Sequence, residues 1–175
     1  MSKSRKRRIN RKHSLHLKRT VQYRESTLPG GLKILSEEVP GLESFSLGIC
    51  INAGSRDEIP QNNGTAHFIE HVNFRQTKHG TSRSISSKFE DVGAYVNAFT
   101  TKENTVFYVR ALKKHLKRSF SLLCDVAFNG NFNEKDMNSE RSIILEEIKY
   151  YLDDPEEMIF DHGEKLLFGD HGLGM

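Results

Sequence analysis

Hydrophobic and polar positions along the chain change period several times, and each change marks an element. VQYREST and LKILSEEV flank Leu28-Pro29-Gly30-Gly31, two strand-like runs around a Pro-Gly-Gly turn, which predicts a β-hairpin. SFSLGICINAG, residues 44–54, predicts a third strand, apolar enough to lie centrally in a sheet. Gly54 to Glu58 and Pro60 to Asn63 form a polar loop, and GTAHFIEHVNF, residues 64–74, then takes a helical period. Ile85, Phe89 and Val92 follow i, i+4, i+7 and predict a second helix over 82–92, stopped by Gly93. AYVNAFT and NTVFYVRAL predict paired strands around Thr101-Lys102-Glu103. Leu112, Leu116, Phe120, Leu123 and Ala127 share a stripe and predict a helix over 113–128. Two more helices follow, over 134–153 and 156–168. Asp153-Asp154-Pro155 separates them, because the residue before proline leaves helical space, and Gly169 ends the second.

Three strands, two helices, two strands and three helices in that order lack any regular βαβ alternation. The expected class is α+β, a mostly antiparallel sheet packed on helices. Composition is compatible with that: 175 residues, 36% apolar and 28% charged, suffice for one core without disulfide or metal staples. No apolar run approaches the roughly 18 residues of a membrane span, and no apolar segment of a secretory signal follows the basic start. No membrane partner is expected. Cys50 and Cys124 sit in apolar segments without a CxxC pair, which predicts buried thiols in a reducing compartment.

Charge changes the picture at one end. The net +3 conceals a basic stretch at residues 1–20 with nine Lys or Arg and no acid, leaving 17 basic against 23 acidic side chains in the rest. Such a run is expected to be a solvated, disordered tail, with residues 21–175 as the folded domain. Nucleic-acid contact, nuclear import and a mitochondrial presequence are the functional readings of the tail. No RNA-binding aromatic motif or recognition-helix pattern supports the first, so nucleic acid is not an expected partner. Ile9, Leu15 and Leu17 make a poor amphipathic stripe for the last.

The candidate chemistry lies in the 64–74 helix. His67 and His71 are four apart and lie within about 40° of each other on a helix, so both imidazoles can face one ion. Glu70 adjoins that face, positioned to take a proton from an attacking water. HxxEH is the inversion of the HExxH zinc motif. With eight His in the chain, chance alone would produce HxxEH in about 3% of shuffled sequences, so a third ligand must decide.

SERSIILEEIKYYL, residues 139–152, supplies candidates. On a helical wheel Ile143, Ile144, Ile148, Tyr150 and Tyr151 define the expected buried arc, with Leu145 and Leu152 at its edge. Ser142, Glu146 and Lys149 face water. Glu140 and Glu147, seven apart and within about 20° of one another, fall inside the apolar arc. Two carboxylates there are costly unless paired or metal-bound. The wheel nominates Glu147 as third ligand, or Glu140 if the helix is rotated; salt bridges to Arg56 or Arg110 are the plain alternative. Two His and one Glu leave a fourth position open, the arrangement of a hydrolytic zinc site, which manganese or cobalt could also occupy.

GSRDE (54–58), GTAHFIEH (64–71), VGAYVNAFTTKENTVFY (92–108), SERSIILEEIKYYLDDPEE (139–157) and the final GDHGLG together resemble the pitrilysin family of inverted-zinc metallopeptidases. That family includes insulin-degrading enzyme and the processing peptidases of mitochondria. The resemblance implies His67, His71 and Glu147 as ligands of one zinc ion per chain, Glu70 as general base and Glu140 as a supporting acid that orients the site. Glu147 follows His71 by 76 residues, a separation typical of the family. It implies that the strand matching AYVNAFT lies beside a peptide or unfolded-protein substrate, with Asn97 and Ala98 as backbone contacts. Asn73 stands where the family usually has an apolar residue, and Gln76 where FRGT or FKGT is usual.

Family members continue into the rest of a first domain and a second, similar one that closes on it as a clamshell. The expected architecture is therefore an incomplete N-terminal half-domain. The expected function is a zinc metalloendopeptidase. The alternative is a non-catalytic or partner-dependent binding or assembly subunit that works with a second half-domain or homologous subunit. The bacterial cytoplasm is the expected compartment, with the mitochondrial matrix as alternative.

Overall fold

The computed structural model describes residues 22–174, so the basic stretch 1–20 and the expectations attached to it lie outside the described residues. Two compact units result, one ending at Leu42 and one beginning at Glu43. In the first, β1 (Gln22–Thr27) pairs antiparallel with β2 (Lys33–Glu38), with Thr27 opposite Lys33. The turn is closed by the Leu28 and Gly31 N–H groups, which donate to Leu32 and Leu28 carbonyls at 2.9 Å each. The Leu-Pro-Gly-Gly signal thus does what its turn chemistry predicts.

The second unit runs β3 (Ser44–Ile51), α1 (Thr65–Asn73), a short hairpin β4 (Gln76–Thr77) and β5 (Gly80–Thr81), and α2 (Ser82–Glu90). It continues with β6 (Tyr95–Thr100), β7 (Thr105–Leu112), α3 (Leu116–Phe128), α4 (Glu134–Leu152) and α5 (Pro155–Phe168). The class is α+β with antiparallel pairing, as expected. Strand order is β3-β7-β6, each neighbour antiparallel. The strand taken for the central one, β3, is an edge of this sheet, and β7 is central. The burial patterns give the reason: β3 alternates exposed and half-buried positions, whereas Thr105, Phe107, Val109 and Ala111 of β7 are all buried.

Helices cover one face of the sheet. Ile85 and Phe89 of α2, Ala98 of β6, Phe107 and Val109 of β7, and Leu123, Val126 and Ala127 of α3 form the core. Fully burying a large apolar side chain stabilises by about 1.5–3 kcal/mol, which makes this cluster the main cohesive element. On the open face Tyr95 and Phe99 flank Tyr108, with ring centroids 6.1 Å apart in each pair.

Three expectations need correction here. The inward face of α3 is Ser119, Leu123, Val126 and Ala127, not the Leu112, Leu116 and Phe120 side of the wheel, which is about half exposed. Small Ser119, 0% exposed, lets the helix approach the sheet where a phenylalanine would hold it away. Cys50 is exposed, its thiol 3.5 Å from Asn104 Oδ1, because it falls on the outward phase of an edge strand; Cys124 is half-buried and both are free. The apolar arc of α4 is also largely open: Ile143, Ile148 and Tyr150 are exposed, as are Leu145 and Leu152 at its edge, and Ile144 and Tyr151 are half-buried. Among the described residues, no helix is long and apolar enough to cross a membrane.

Candidate metal centre

The polar loop before α1 is built to start that helix. Gly64 adopts φ 91°, a left-handed conformation that favours glycine, and turns the chain into Thr65. Glu58 reaches across with both carboxylate oxygens: Gly64 N–H donates to Oε2 and Ala66 N–H to Oε1, each at 2.6 Å. Those are first-turn amides without helical acceptors, and a carboxylate there also opposes the positive end of the helix dipole. Gly54 lets this loop lie against the turn after β6, since a Cβ on it would come within 2.3 Å of the Thr101 carbonyl oxygen.

One turn into α1, His67 and His71 point the same way. Their Nε2 atoms are 3.1 Å apart, and Glu147 Oε2 of α4 lies 3.5 Å from His71 Nε2 and 3.9 Å from His67 Nε2. Zinc bonds of about 2.0–2.2 Å put tetrahedral donors about 3.3–3.6 Å apart, so this triangle has the size of three corners of such a site. Two imidazole nitrogens and a carboxylate oxygen are also the donor types that zinc takes in hydrolytic sites. The side chains of His67 and Glu147 are 43% and 50% exposed, which leaves solvent access on the open side. The three residues fit a divalent ion of the zinc type.

Glu140 stands behind them. Its side chain is 4% exposed, and Oε2 lies 2.9 Å from His71 Nδ1. A carboxylate accepts at that distance, so Nδ1 carries the imidazole proton and Nε2 turns its lone pair toward the other donors. The other oxygen pairs with Arg75 Nε. The wheel's two acids therefore separate: Glu140 is buried and paired, and Glu147 is exposed and joins the histidines. The plain alternative of salt bridges to Arg56 or Arg110 is not realised. Arg56 pairs with Glu103, and the Arg110 guanidinium lies 5.5 Å over the Tyr108 ring.

Glu70, on the same helix, accepts a hydrogen bond from the Thr100 hydroxyl at 2.5 Å, which ties it to the end of β6. Asn97 and Ala98 are not drawn into this cluster. Ala98 faces the core, and Asn97 lies on the opposite, open face with Tyr95, whose hydroxyl accepts from its Nδ2 at 3.2 Å. That bond to Asn97, with a second from Tyr108, holds the Tyr95 phenol below its ordinary pKa. The strand carrying them is nonetheless a sheet edge among the described residues.

The two departures after α1 each have a defined place. Asn73 is buried at the end of α1. Gln76 accepts from the Asn131 N–H through its carbonyl and from Asn133 Nδ2 through its side chain, both at 2.8 Å. Asn133 is the N-cap of α4, accepting from the Asp136 N–H, so Gln76 fastens the start of α4 to the exit of α1.

Sequence reasoning assigned no role to Glu58, Arg75 or Thr100. Arg75 carried a signal, since it follows His71 at i+4 and so continues the same helix face. Glu58 and Thr100 lie in two of the motifs that carry the resemblance, but nothing in their spacing names Gly64, Ala66 or Glu70 as their partners.

Residues 33–175 match the family model for insulinase, Peptidase family M16. The zinc protease YmxG of Bacillus subtilis is 37% identical over 148 residues, 85% of this chain and 36% of that protein. The mitochondrial-processing peptidase subunit beta of Saccharomyces cerevisiae is 35% identical over 151 residues, 86% of this chain and 33% of its own length. The chain thus spans about a third of these relatives. In fold, it resembles the crystal structure of a protease from Helicobacter pylori, with a TM-score of 0.80 at 23% identity, over 87% of this chain and 37% of that one.

Proposed function

This chain belongs to the insulinase family of peptidases, Peptidase family M16, and from that membership we propose that it is the zinc-bearing part of a metalloendopeptidase. One observation carries the reading: His67 Nε2, His71 Nε2 and Glu147 Oε2 converge at 3.1 to 3.9 Å from each other, with Glu70 on the same helix. Relatives named as zinc proteases support the choice of ion.

His67, His71 and Glu147 hold one zinc per chain. Bound there, zinc would supply Lewis acidity to a scissile carbonyl and lower the pKa of an attacking water. Glu70 takes the proton from that water and delivers it to the departing amide nitrogen. Thr100, donating to Oε2, keeps the Glu70 carboxylate an acceptor and limits its rotation. Glu140 holds the Nδ1 proton of His71 and so leaves Nε2 free for the ion.

The substrate is an extended peptide or an unfolded protein added as a strand along the edge that β6 forms among the described residues. Asn97 and Ala98 contact it through the main chain. Asn97 Oδ1 accepts from the Ala98 N–H at 2.9 Å, so an incoming strand must displace that side chain to use the amide.

A second reading is a partner-dependent or non-catalytic subunit. The chain's span of about a third of its relatives favours it, as does the yeast relative's name as a subunit. The partner is then a second half-domain or a homologous subunit. Bacterial and mitochondrial relatives support the bacterial cytoplasm, or the mitochondrial matrix, as the compartment.

The test is metal analysis of the chain purified with excess zinc, with peptide cleavage measured alone and with a separately expressed second half. Expected are one zinc per chain and, for Glu70→Gln, retained zinc with cleavage reduced about 10²–10⁴-fold. Zinc with turnover only after the second half is added selects the partner-dependent reading. A chain that binds no zinc refutes the metalloendopeptidase reading and leaves the non-catalytic subunit.

A further inference from the structure

Arg75 follows Phe74, the C-cap of α1, and stands four residues beyond His71. It is 35% exposed at the side chain, while the carboxylate it pairs with is 4% exposed. That carboxylate, Glu140, is a bridge. Its Oε1 takes Arg75 Nε and its Oε2 takes His71 Nδ1 at 2.9 Å, so two residues of one helix end hold a single acid from α4.

A carboxylate bonded at one oxygen can still turn about its last bond. Bonded at both, to a planar guanidinium and a planar imidazole, its plane is defined. The consequence reaches the metal ligands by two routes. The ring plane and tautomer of His71 follow the plane of Glu140. Glu147 lies seven residues along the same helix, two turns on, so the anchoring of Glu140 also sets how far Glu147 projects over α1. Removing Arg75 leaves a buried carboxylate with one partner, and a carboxylate short of a charge partner is free to shift toward solvent.

The geometry points to Arg75 as a positioning residue for the metal: it locks Glu140 in place and thereby orients His71 and seats α4, with Glu147, against α1. This rests on the zinc reading of the His67, His71 and Glu147 cluster. Loss of a group that orients a metal-bound histidine costs about 10- to 100-fold in metal affinity, and Arg75 acts one step further out, so a loss of about tenfold is expected.

The experiment uses the whole 175-residue chain. Zinc affinity is measured by competition with a chromophoric chelator, and ligand geometry by the visible absorption of the cobalt form. Arg75→Met should bind zinc about tenfold more weakly than the unaltered chain and show a weaker tetrahedral cobalt band. Arg75→Lys, which keeps the charge and loses the planar guanidinium, should recover only part of the affinity. Adding Arg75→Met to Glu140→Gln should cost little beyond Glu140→Gln alone, because both act through one carboxylate. Unchanged affinity and spectrum in Arg75→Met would overturn the role, as would an equal tenfold loss in the Glu140→Gln background. If circular dichroism finds Arg75→Met unfolded, Arg75→Gln, which keeps a donor and loses the charge, serves in the same cycle. An unaltered chain that binds neither metal overturns the zinc reading and this role together, whereas normal binding with an indifferent Arg75 overturns this role alone.

Discussion

Removing the Glu58 carboxylate should unfasten the first turn of the helix that carries both histidines. Glu58 accepts two amide hydrogen bonds at 2.6 Å, from Gly64 and Ala66, and Ala66 directly precedes His67. Hydrogen bonds to a charged group contribute about 1.5–3 kcal/mol each, but Glu58 is only partly buried and water can replace it, so the low end applies. Side-chain capping of a helix start is worth about 0.5–2 kcal/mol and the dipole interaction about 0.3–1, which bounds the sum in the same range. Glu58→Ala should therefore destabilise the chain by about 2–3 kcal/mol. Glu58→Gln, which keeps one acceptor oxygen, should cost about half of that. For a chain of this size the alanine variant should melt about 4–12 °C lower. Urea unfolding of the metal-free chain measures the free energies, and chelator competition should find zinc binding weakened several-fold in Glu58→Ala. An unfolding free energy for Glu58→Ala within 0.5 kcal/mol of the unaltered chain would refute the capping argument.

Asp125 gives a pH-dependent prediction. Burial raises its carboxyl pKa, but hydrogen bonds from His79 and Thr77, the His79 charge and a bond from Asn129 outweigh that, and the net value lies below the ordinary 3.8. A carboxyl depressed in the folded state adds stability that is fully present above its unfolded pKa and is lost as pH falls through its folded pKa. Asp125→Asn should cost about 1–2 kcal/mol at pH 7, and the gap between variant and unaltered chain should close below pH about 4 in a thermal series. A gap that stays constant down to the acid limit contradicts it. The two cysteines should also separate by reactivity: Cys50 is exposed, whereas burial pushes the Cys124 thiol up. Brief alkylation at pH 8 followed by peptide mapping should label Cys50 on the order of tenfold faster, and equal labelling would contradict the placement of β3 at the sheet edge.

Much of this molecule was legible along the chain because its signals are local. Asn133 and Asp154 each stand at an N-cap, Pro155 opens α5, and Asp153-Asp154-Pro155 breaks α4 from α5 within a residue of the expected point. Ile85, Phe89 and Val92 are buried as their spacing predicts. Periodicity reports which residues share a face, and it reports little about which neighbour that face meets. Hence β3, for all its apolar residues, lies at an edge, and the apolar arc of α4 is largely open while Glu140 alone is buried on that helix.

The HxxEH spacing by itself determined that His67 and His71 share a side of one helix turn with Glu70 beside them, because an α-helix repeats every 3.6 residues whatever surrounds it. Seven-residue spacing likewise put Glu140 and Glu147 on one side of α4. Only the tertiary structure decided between those two acids. Packing α4 on α1 brings Glu140 to Nδ1 of His71 and to Arg75, and carries Glu147 two turns on to the Nε2 atoms of the two histidines. Helical periodicity cannot separate positions only about 20° apart, whereas the translation along the helix axis between them, about 10 Å, sets one acid against His71 Nδ1 and Arg75 and the other against the histidine Nε2 atoms.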